Sequence, residues 1–202
     1  MPLRHIALFG GSFDPIHEGH LAMARAAMAQ TAVEAVVFIP AGQSPLKPNT
    51  PSATAQQRLA MVRVAIADNP QFSVLDWELC KSGLSYSIDT VLRFQSEQPD
   101  AQLYWILGED QVNQLAHWHR IAELVRLVRF IAYRRYLNLP HGGMVPELPA
   151  TGEVEATIDW LEGDPLPFSS TAIRTAIAAG LPPKGLPSKV EQYIRKYFIY
   201  NQ

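Results

Sequence analysis

The chain has a single cysteine, Cys80, in 202 residues. No disulfide can form within it, and no cysteine cluster is on hand for a thiolate-bound metal. Long apolar runs are missing as well: none approaches the ~18 residues of a membrane span, and the few apolar residues before Gly10 are too short for a signal-peptide core. Charge of one sign is also scarce. The 17 Lys and Arg against 19 Asp and Glu leave a formal charge of −2, with no basic cluster to act as an electrostatic footprint for nucleic acid. These absences point to a soluble protein of the reducing cytoplasm, without a membrane or nucleic-acid partner, whose better ligand is a nucleotide. Internal repeats and low-complexity tracts are also absent, and the length suits one well-cored domain over residues 1–202. The Pro- and Gly-rich stretch Asn138 to Gly152 reads as an ordered surface connection.

What is present is organised around Gly10-Gly11-Ser12-Phe13-Asp14-Pro15-Ile16-His17-Glu18-Gly19-His20. The apolar run Ile6 to Phe9 before it reads as a buried strand, and Leu21 to Met28 after it reads as a helix. Two adjacent glycines at a strand end allow a sharp turn and let an anion approach the main chain, because no Cβ intervenes. Pro15 stiffens the loop. If the helix starts near Ile16 or His17, then His17 and His20 lie at i and i+3 on one face, which Gly19 leaves open. There the free N–H groups and the positive end of the helix dipole already favour phosphate. The plainer alternative is a strand turning into its crossover helix, with surface histidines that do nothing. Zinc is a third reading, but a tetrahedral site needs further Cys or His ligands, and only Cys80 and scattered histidines remain.

Further along, Ala35 to Ile39 is a continuous apolar strand, and Ala41 to Ser52 is a proline-rich loop carrying Lys47, either incidental or a rim contact for phosphate. Thr54 to Gln57 has capping-box spacing before a helix that runs to Asp68, and Phe72 to Leu75 is a third strand. Ser85-Tyr86-Ser87 opens a helix through Phe94, with the serines suited to its cap, or with free N–H groups for a small carboxylate. Leu103 to Leu107 is a strand ending at Gly108-Glu109-Asp110, where Asp110 either caps a helix or meets ribose hydroxyls. Trp118 precedes the helix Ile121 to Val125 and is placed to pack, or to stack on a planar ring. A fifth strand, Val128 to Tyr133, leads to Arg134-Arg135, an exposed pair or a phosphate clamp. Ala156 to Leu161 reads as a sixth strand. Phe168-Ser169-Ser170-Thr171 opens the helix Thr175 to Ala179, with Arg174 one turn inside. Three hydroxyls and an arginine are more than a cap needs, and suit a second phosphate group. Pro187 to Glu191 has the spacing of a capping box, and Tyr193, Ile194, Tyr197 and Phe198 supply the apolar face of a closing helix.

Strands alternating with helices predict an α/β fold, a doubly wound parallel sheet of five or six strands with a closing helical segment. The ligand crevice belongs at its carboxyl edge. Gly11, Phe13, Pro15, His17, Gly19 and His20 match the Gly-x-Phe-x-Pro-x-His-x-Gly-His signature, so the chain resembles the nucleotidyltransferases related to the class I aminoacyl-tRNA synthetase fold. Phe168 to Arg174 is similar to their second signature, Ile-Ser-Ser-Thr-x-Ile-Arg, with Phe168 in the aliphatic position. Within that group the chain most resembles the bacterial nicotinate mononucleotide adenylyltransferases, through Ser85-Tyr86-Ser87, Gly108-Glu109-Asp110 and Trp118.

The resemblance implies adenylyl transfer from ATP to nicotinate mononucleotide in NAD biosynthesis, with Mg²⁺ carried by ATP and no resident metal. His17, His20, Lys47 and Arg174 would be catalytic. Gly10, Gly11, Ser12, Phe13, Gly19, Gly108, Asp110, Ser169, Ser170 and Thr171 would join in binding ATP. Ser85, Tyr86, Ser87, Trp118 and Arg134 or Arg135 would bind the acceptor. Two departures stand out: Ser44-Pro45-Leu46-Lys47 lacks the loop histidine of many relatives, and Arg135-Tyr136 replaces their Arg-Pro. Phosphopantetheine adenylyltransferase shares both signatures, and a catalytically silent nucleotide-binding module is the alternative outside the enzymes. Oligomeric state is not legible.

Overall fold

The structure, a computed structural model, describes residues 4–43, 45, 50–133, 156–163 and 167–201. Its elements are β1 (Arg4–Gly11), α1 (Glu18–Gln30), β2 (Ala35–Pro40), α2 (Ala55–Ile66), β3 (Phe72–Val74), α3 (Ser87–Glu97), β4 (Ala101–Gly108) and α4 (Glu109–Val112). After a 3₁₀ turn at Leu115–His117 come α5 (Ile121–Leu127), β5 (Val128–Tyr133), β6 (Ile158–Leu161), α6 (Ser170–Ala178) and α7 (Ser188–Lys196). The six strands form one sheet in the order β3-β2-β1-β4-β5-β6, the doubly wound arrangement, and the β1·β4, β4·β5 and β5·β6 pairs run parallel. Parallel neighbours need crossovers, and the helices between the strands provide them. Among the described residues no helix is long and apolar enough to cross a membrane.

The chain packs as two compact units interleaved in sequence. The first comprises Met1–Phe9, Ala24–Val36 and Tyr86–Leu166, the second Gly10–Met23, Val37–Ser85 and Pro167–Gln202. In the first, Leu103 to Leu107 of β4 are all buried, as are Phe130 and Ile131 of β5, because a parallel strand is covered on both faces. Ile88, Val91 and Phe94 of α3 and Ile121, Leu124 and Val125 of α5 recur at helical spacing and are buried with them. In the second, Phe38 and Ile39 of β2, Leu59 and Val62 of α2, Ile173 of α6 and Val190 and Ile194 of α7 are buried. Each such side chain contributes ~1.5–3 kcal/mol on leaving water.

Helix ends separate local from long-range causes. At α2 the expected capping box forms: Thr54 Oγ1 accepts from Gln57 N at 3.2 Å, and Gln57 Oε1 accepts from Thr54 N at 2.9 Å. The expected box at α7 does not form. Its cap position is Pro187, which puts Ser188 inside the helix, and Glu191 pairs with Arg195 at 2.6 Å. The serine cap expected at α3 is absent too, since Tyr86 holds that position without a side-chain bond. The helix expected over Thr175 to Ala179 starts earlier, at Ser170, so Thr171 and Arg174 are helical.

The end of α7 also corrects the reading of its apolar face. Val190, Ile194 and Ile199 are buried, while Tyr197 and Phe198 are 51% and 76% exposed. Phe198 has φ 53°, its N–H donates to Arg195 O, and Ile199 N donates to Ile194 O, which together make a Schellman ending. The chain turns at Phe198 and returns Ile199, rather than Phe198, to the core. At α6 the same ending is built on Gly180, φ 68°, the residue type suited to a left-handed position. Phe198→Gly is therefore expected to raise stability by about 0.5–1 kcal/mol, read by urea unfolding.

Candidate active site

β1 runs into the glycine turn, and α1 begins at Glu18, one residue after His17. His17 thus lies just outside the helix, and its carbonyl accepts from His20 N at 2.9 Å and Leu21 N at 3.3 Å. The expected i, i+3 relation holds in its consequence. The two imidazoles stack with centroids 3.7 Å apart and planes at 25°. Gly19 is needed here because a Cβ would lie 2.9 Å from both Cε1 and Nδ1 of His17. His17 is buried and His20 half-buried.

His17 N donates to His20 Nδ1 at 3.2 Å. A ring nitrogen that accepts carries no proton, so the neutral tautomer of His20 has its N–H at Nε2. Phe13, at φ 47° and 1% exposed, holds the His20 ring edge-on at 5.0 Å. Phe38 and Phe72 extend this series of rings at 5.8 and 5.5 Å. The imidazole thus rests on Phe13 of the turn, which is backed in its own right by Phe38 of β2 and, through it, Phe72 of β3.

The largest feature missed from sequence is Asp14. Its carboxylate is 5% exposed as a residue and accepts from Ser52 N at 2.8 Å, Ala53 N at 3.0 Å and the Tyr200 hydroxyl at 2.7 Å. Arg58 was missed as well. It is 2% exposed, its Nη1 donates to Ser12 O at 2.7 Å, and Nε has no partner among the described residues. Burial lowers its pKa, with Asp14 opposing that shift. A signal existed: Arg58 lies four residues before Val62, on the apolar stripe of α2.

The hydroxyls at α6 are individually occupied. Ser169 Oγ accepts from Ala172 N as the cap, Ser170 Oγ donates to Pro15 O at 3.0 Å, and Thr171 Oγ1 accepts a long contact from Arg174 Nη2 at 3.5 Å. Arg174 Nη1 donates to Asp14 O at 2.6 Å and stands 3.7 Å from Asp14 Oδ2. The second signature is thereby tied to the first: α6 and the glycine turn share Pro15, Asp14 and Arg174.

Ser85 is buried, its Oγ accepts from Gly42 N at 3.2 Å and its N–H donates to Gln43 O. It holds the loop after β2. In the other unit, Tyr86 lies against His119 at 4.3 Å, and α3 opens at Ser87 behind Tyr86, whose side chain makes no cap bond. Trp118 is half-buried and edge-to-face with Trp105 at 6.2 Å, and its Nε1 is buried without a partner among the described residues. Gly108 caps α4, so Asp110 is not the cap; it is exposed just past β4, and a Cβ on Gly108 would meet its Oδ1 at 2.6 Å. Lys47, Arg134 and Arg135 lie outside the described residues. Among the described residues no group of three or more His, Cys, Asp or Glu is set to hold a metal ion.

An imidazole N–H, a helix N-terminus and an arginine anchored on one turn are groups able to receive phosphate oxygens. Comparisons with known proteins identify the family. Residues 8–176 match the cytidylyltransferase-like family model. A Synechococcus sp. (strain JA-2-3B'a(2-13)) protein, named "Probable nicotinate-nucleotide adenylyltransferase", is 39% identical over 203 residues and covers 100% of both chains. One of the same name from Neisseria meningitidis is 36% identical, covering 99% of this chain and 100% of its own. The fold is shared with Plasmodium falciparum nicotinic acid mononucleotide adenylyltransferase complexed with NaAD, at TM-score 0.79, 19% identity and 98% coverage of each chain. With both signatures joined on one loop and relatives matched end to end, the chain belongs to the nicotinate-nucleotide adenylyltransferase family of cytidylyltransferase-like proteins.

Proposed function

We propose that this chain transfers the adenylyl group of ATP to nicotinate mononucleotide, giving nicotinate adenine dinucleotide and pyrophosphate for NAD biosynthesis in the cytoplasm. The observation that carries the reading is the joined pair of signatures: Arg174 donates to the carbonyl of Asp14 at 2.6 Å, three residues from His17. The acceptor's 5′-phosphate is already ionised at neutral pH, so its attack on the α-phosphorus needs no general base. The remaining tasks are to align two anions and to offset the charge that develops on the transferring group. His20 Nε2–H is assigned that developing charge, with His17 holding it in place. Arg174 and the N-terminus of α6 are assigned the β- and γ-phosphates, together with Lys47 and the Mg²⁺ that ATP carries. Gly10 to Phe13, Gly19, Ser169, Ser170 and Thr171 shape the phosphate loop and cap, and Gly108 with Asp110 is assigned the adenosine ribose.

For the acceptor, Trp118 is assigned the pyridine ring, and the start of α3 at Tyr86 and Ser87 its carboxylate, while Ser85 supports the neighbouring loop. Arg134 or Arg135 is assigned the acceptor phosphate. A helix start presents only donors, which a carboxylate satisfies with both oxygens and a carboxamide does not. A mismatched buried donor costs ~1–3 kcal/mol, so kcat/KM for nicotinate mononucleotide should exceed that for nicotinamide mononucleotide about tenfold to a hundredfold. Parallel steady-state assays with the two acceptors decide it. Equal or reversed preference would return the start of α3 to an ordinary helix end.

A further inference from the structure

Tyr200 lies beyond α7, 186 positions from Asp14 in sequence, yet its hydroxyl donates to Asp14 Oδ1 at 2.7 Å. Reaching it requires two unusual backbone conformations, Phe198 at φ 53° and Tyr200 at φ 68°, neither of them glycine. Bulky residues take such angles at a cost, and they persist where the surroundings require them. Burial and the bond to Asp14 both raise the Tyr200 pKa, so the phenol remains a protonated donor at any working pH.

The consequence concerns Arg174. A buried carboxylate next to a guanidinium ordinarily draws it into a short, two-point ion pair that would blunt its charge. Here Asp14 is already served by uncharged donors: Ser52 N on Oδ2, Ala53 N and the Tyr200 hydroxyl on Oδ1. Arg174 is left at 3.7 Å from Oδ2 and is held instead by the Asp14 carbonyl at 2.6 Å. Its other amino group keeps one long contact, with Thr171 Oγ1 at 3.5 Å.

We infer that Tyr200 is a positioning residue: by saturating the Asp14 carboxylate it keeps Arg174 out of a tight internal ion pair and available to the polyphosphate of the nucleotide. Removing the hydroxyl leaves Asp14 short of a donor, and Arg174, already 3.7 Å from Oδ2, can move in to replace it. This inference rests on the assignment of Arg174 to the β- and γ-phosphates.

The test is a double-mutant cycle of Tyr200→Phe and Arg174→Ala, with MgATP and AMP affinities measured by calorimetry and folding checked by thermal melt. No acceptor is present, so a wrong acceptor would abolish turnover in every protein without touching this cycle. Tyr200→Phe should weaken ATP roughly fivefold to tenfold, on the scale of one ordinary hydrogen bond, and AMP less than twofold. On the Arg174→Ala background its effect on ATP should fall below twofold. Unchanged ATP affinity in Tyr200→Phe, equal losses for ATP and AMP, or a full-sized loss without Arg174 would each overturn the inference, since a purely structural hydroxyl gives one of those patterns. Unchanged ATP affinity in Arg174→Ala would overturn the inference and the role of Arg174 together, while leaving the choice of acceptor untouched.

Discussion

His20→Ala is expected to lower kcat by ~10²–10³ while ATP affinity stays within a few fold. The imidazole is held on three sides: edge-on by Phe13 at 5.0 Å, in a stack with His17 at 3.7 Å, and at Nδ1 by the His17 N–H at 3.2 Å. A donor fixed in this way does not reorganise when charge develops on the phosphoryl oxygens, and such preorganised donors act more on the transition state than on bound substrate. The backbone bond to Nδ1 also sets the tautomer, so the group proposed to act is Nε2–H. His20→Asn, which retains an N–H donor but not the stack, should recover only part of the rate. Pre-steady-state and steady-state rates, measured with ATP saturating, separate kcat from binding. Near-normal turnover in His20→Ala would remove this residue from the mechanism.

Asp14→Ala is expected to destabilise the protein by about 3–5 kcal/mol, the range for removing one partner of a buried charged network. The carboxylate is the shared acceptor for Ser52 N, Ala53 N and the Tyr200 hydroxyl, and it faces Arg174. Its removal leaves two backbone donors and a phenol without their acceptor, and those donors hold the approach to α2 and the segment beyond α7 to the signature turn. For a chain of this size the loss corresponds to a fall in Tm of roughly 6–20 °C. Asp14→Asn keeps the shape but turns an NH₂ toward a donor, so an intermediate loss is expected. A change below about 1 kcal/mol in urea unfolding would mean that Asp14 holds little together.

What the sequence shows best are features whose causes are local. The capping box at α2 lies within four consecutive residues, Thr54 to Gln57, and is present as read. β5 spans Val128–Tyr133 as expected because its apolar residues, interrupted only by the exposed Arg129, form one bounded run. The doubly wound sheet follows from the alternation of runs, and the signature turn from its spacing. The supporting network of the site was not legible. Asp14 takes donors 38, 39 and 186 positions away, and no periodicity encodes such pairings. The caps of α3 and α7 were misread because a serine near a helix start fits several positions, and only the backbone decides which one is the cap. Ser85 illustrates the cost: its hydroxyl, read as a cap or a ligand group, serves Gly42. Tyr197 and Phe198 were assigned inward from spacing alone, and the left-handed turn at Phe198 reversed them.

The proposed reaction moves an adenylyl group onto a pyridine mononucleotide. ATP radiolabelled at the α-phosphorus, incubated with the protein, Mg²⁺ and, in separate reactions, nicotinate mononucleotide, nicotinamide mononucleotide or phosphopantetheine, tests it directly. Label is expected in a dinucleotide with nicotinate mononucleotide, matched by one unlabelled pyrophosphate per transfer, and far less label with the other two acceptors. Label transferred chiefly to phosphopantetheine, or remaining in ATP in all three reactions, would contradict it.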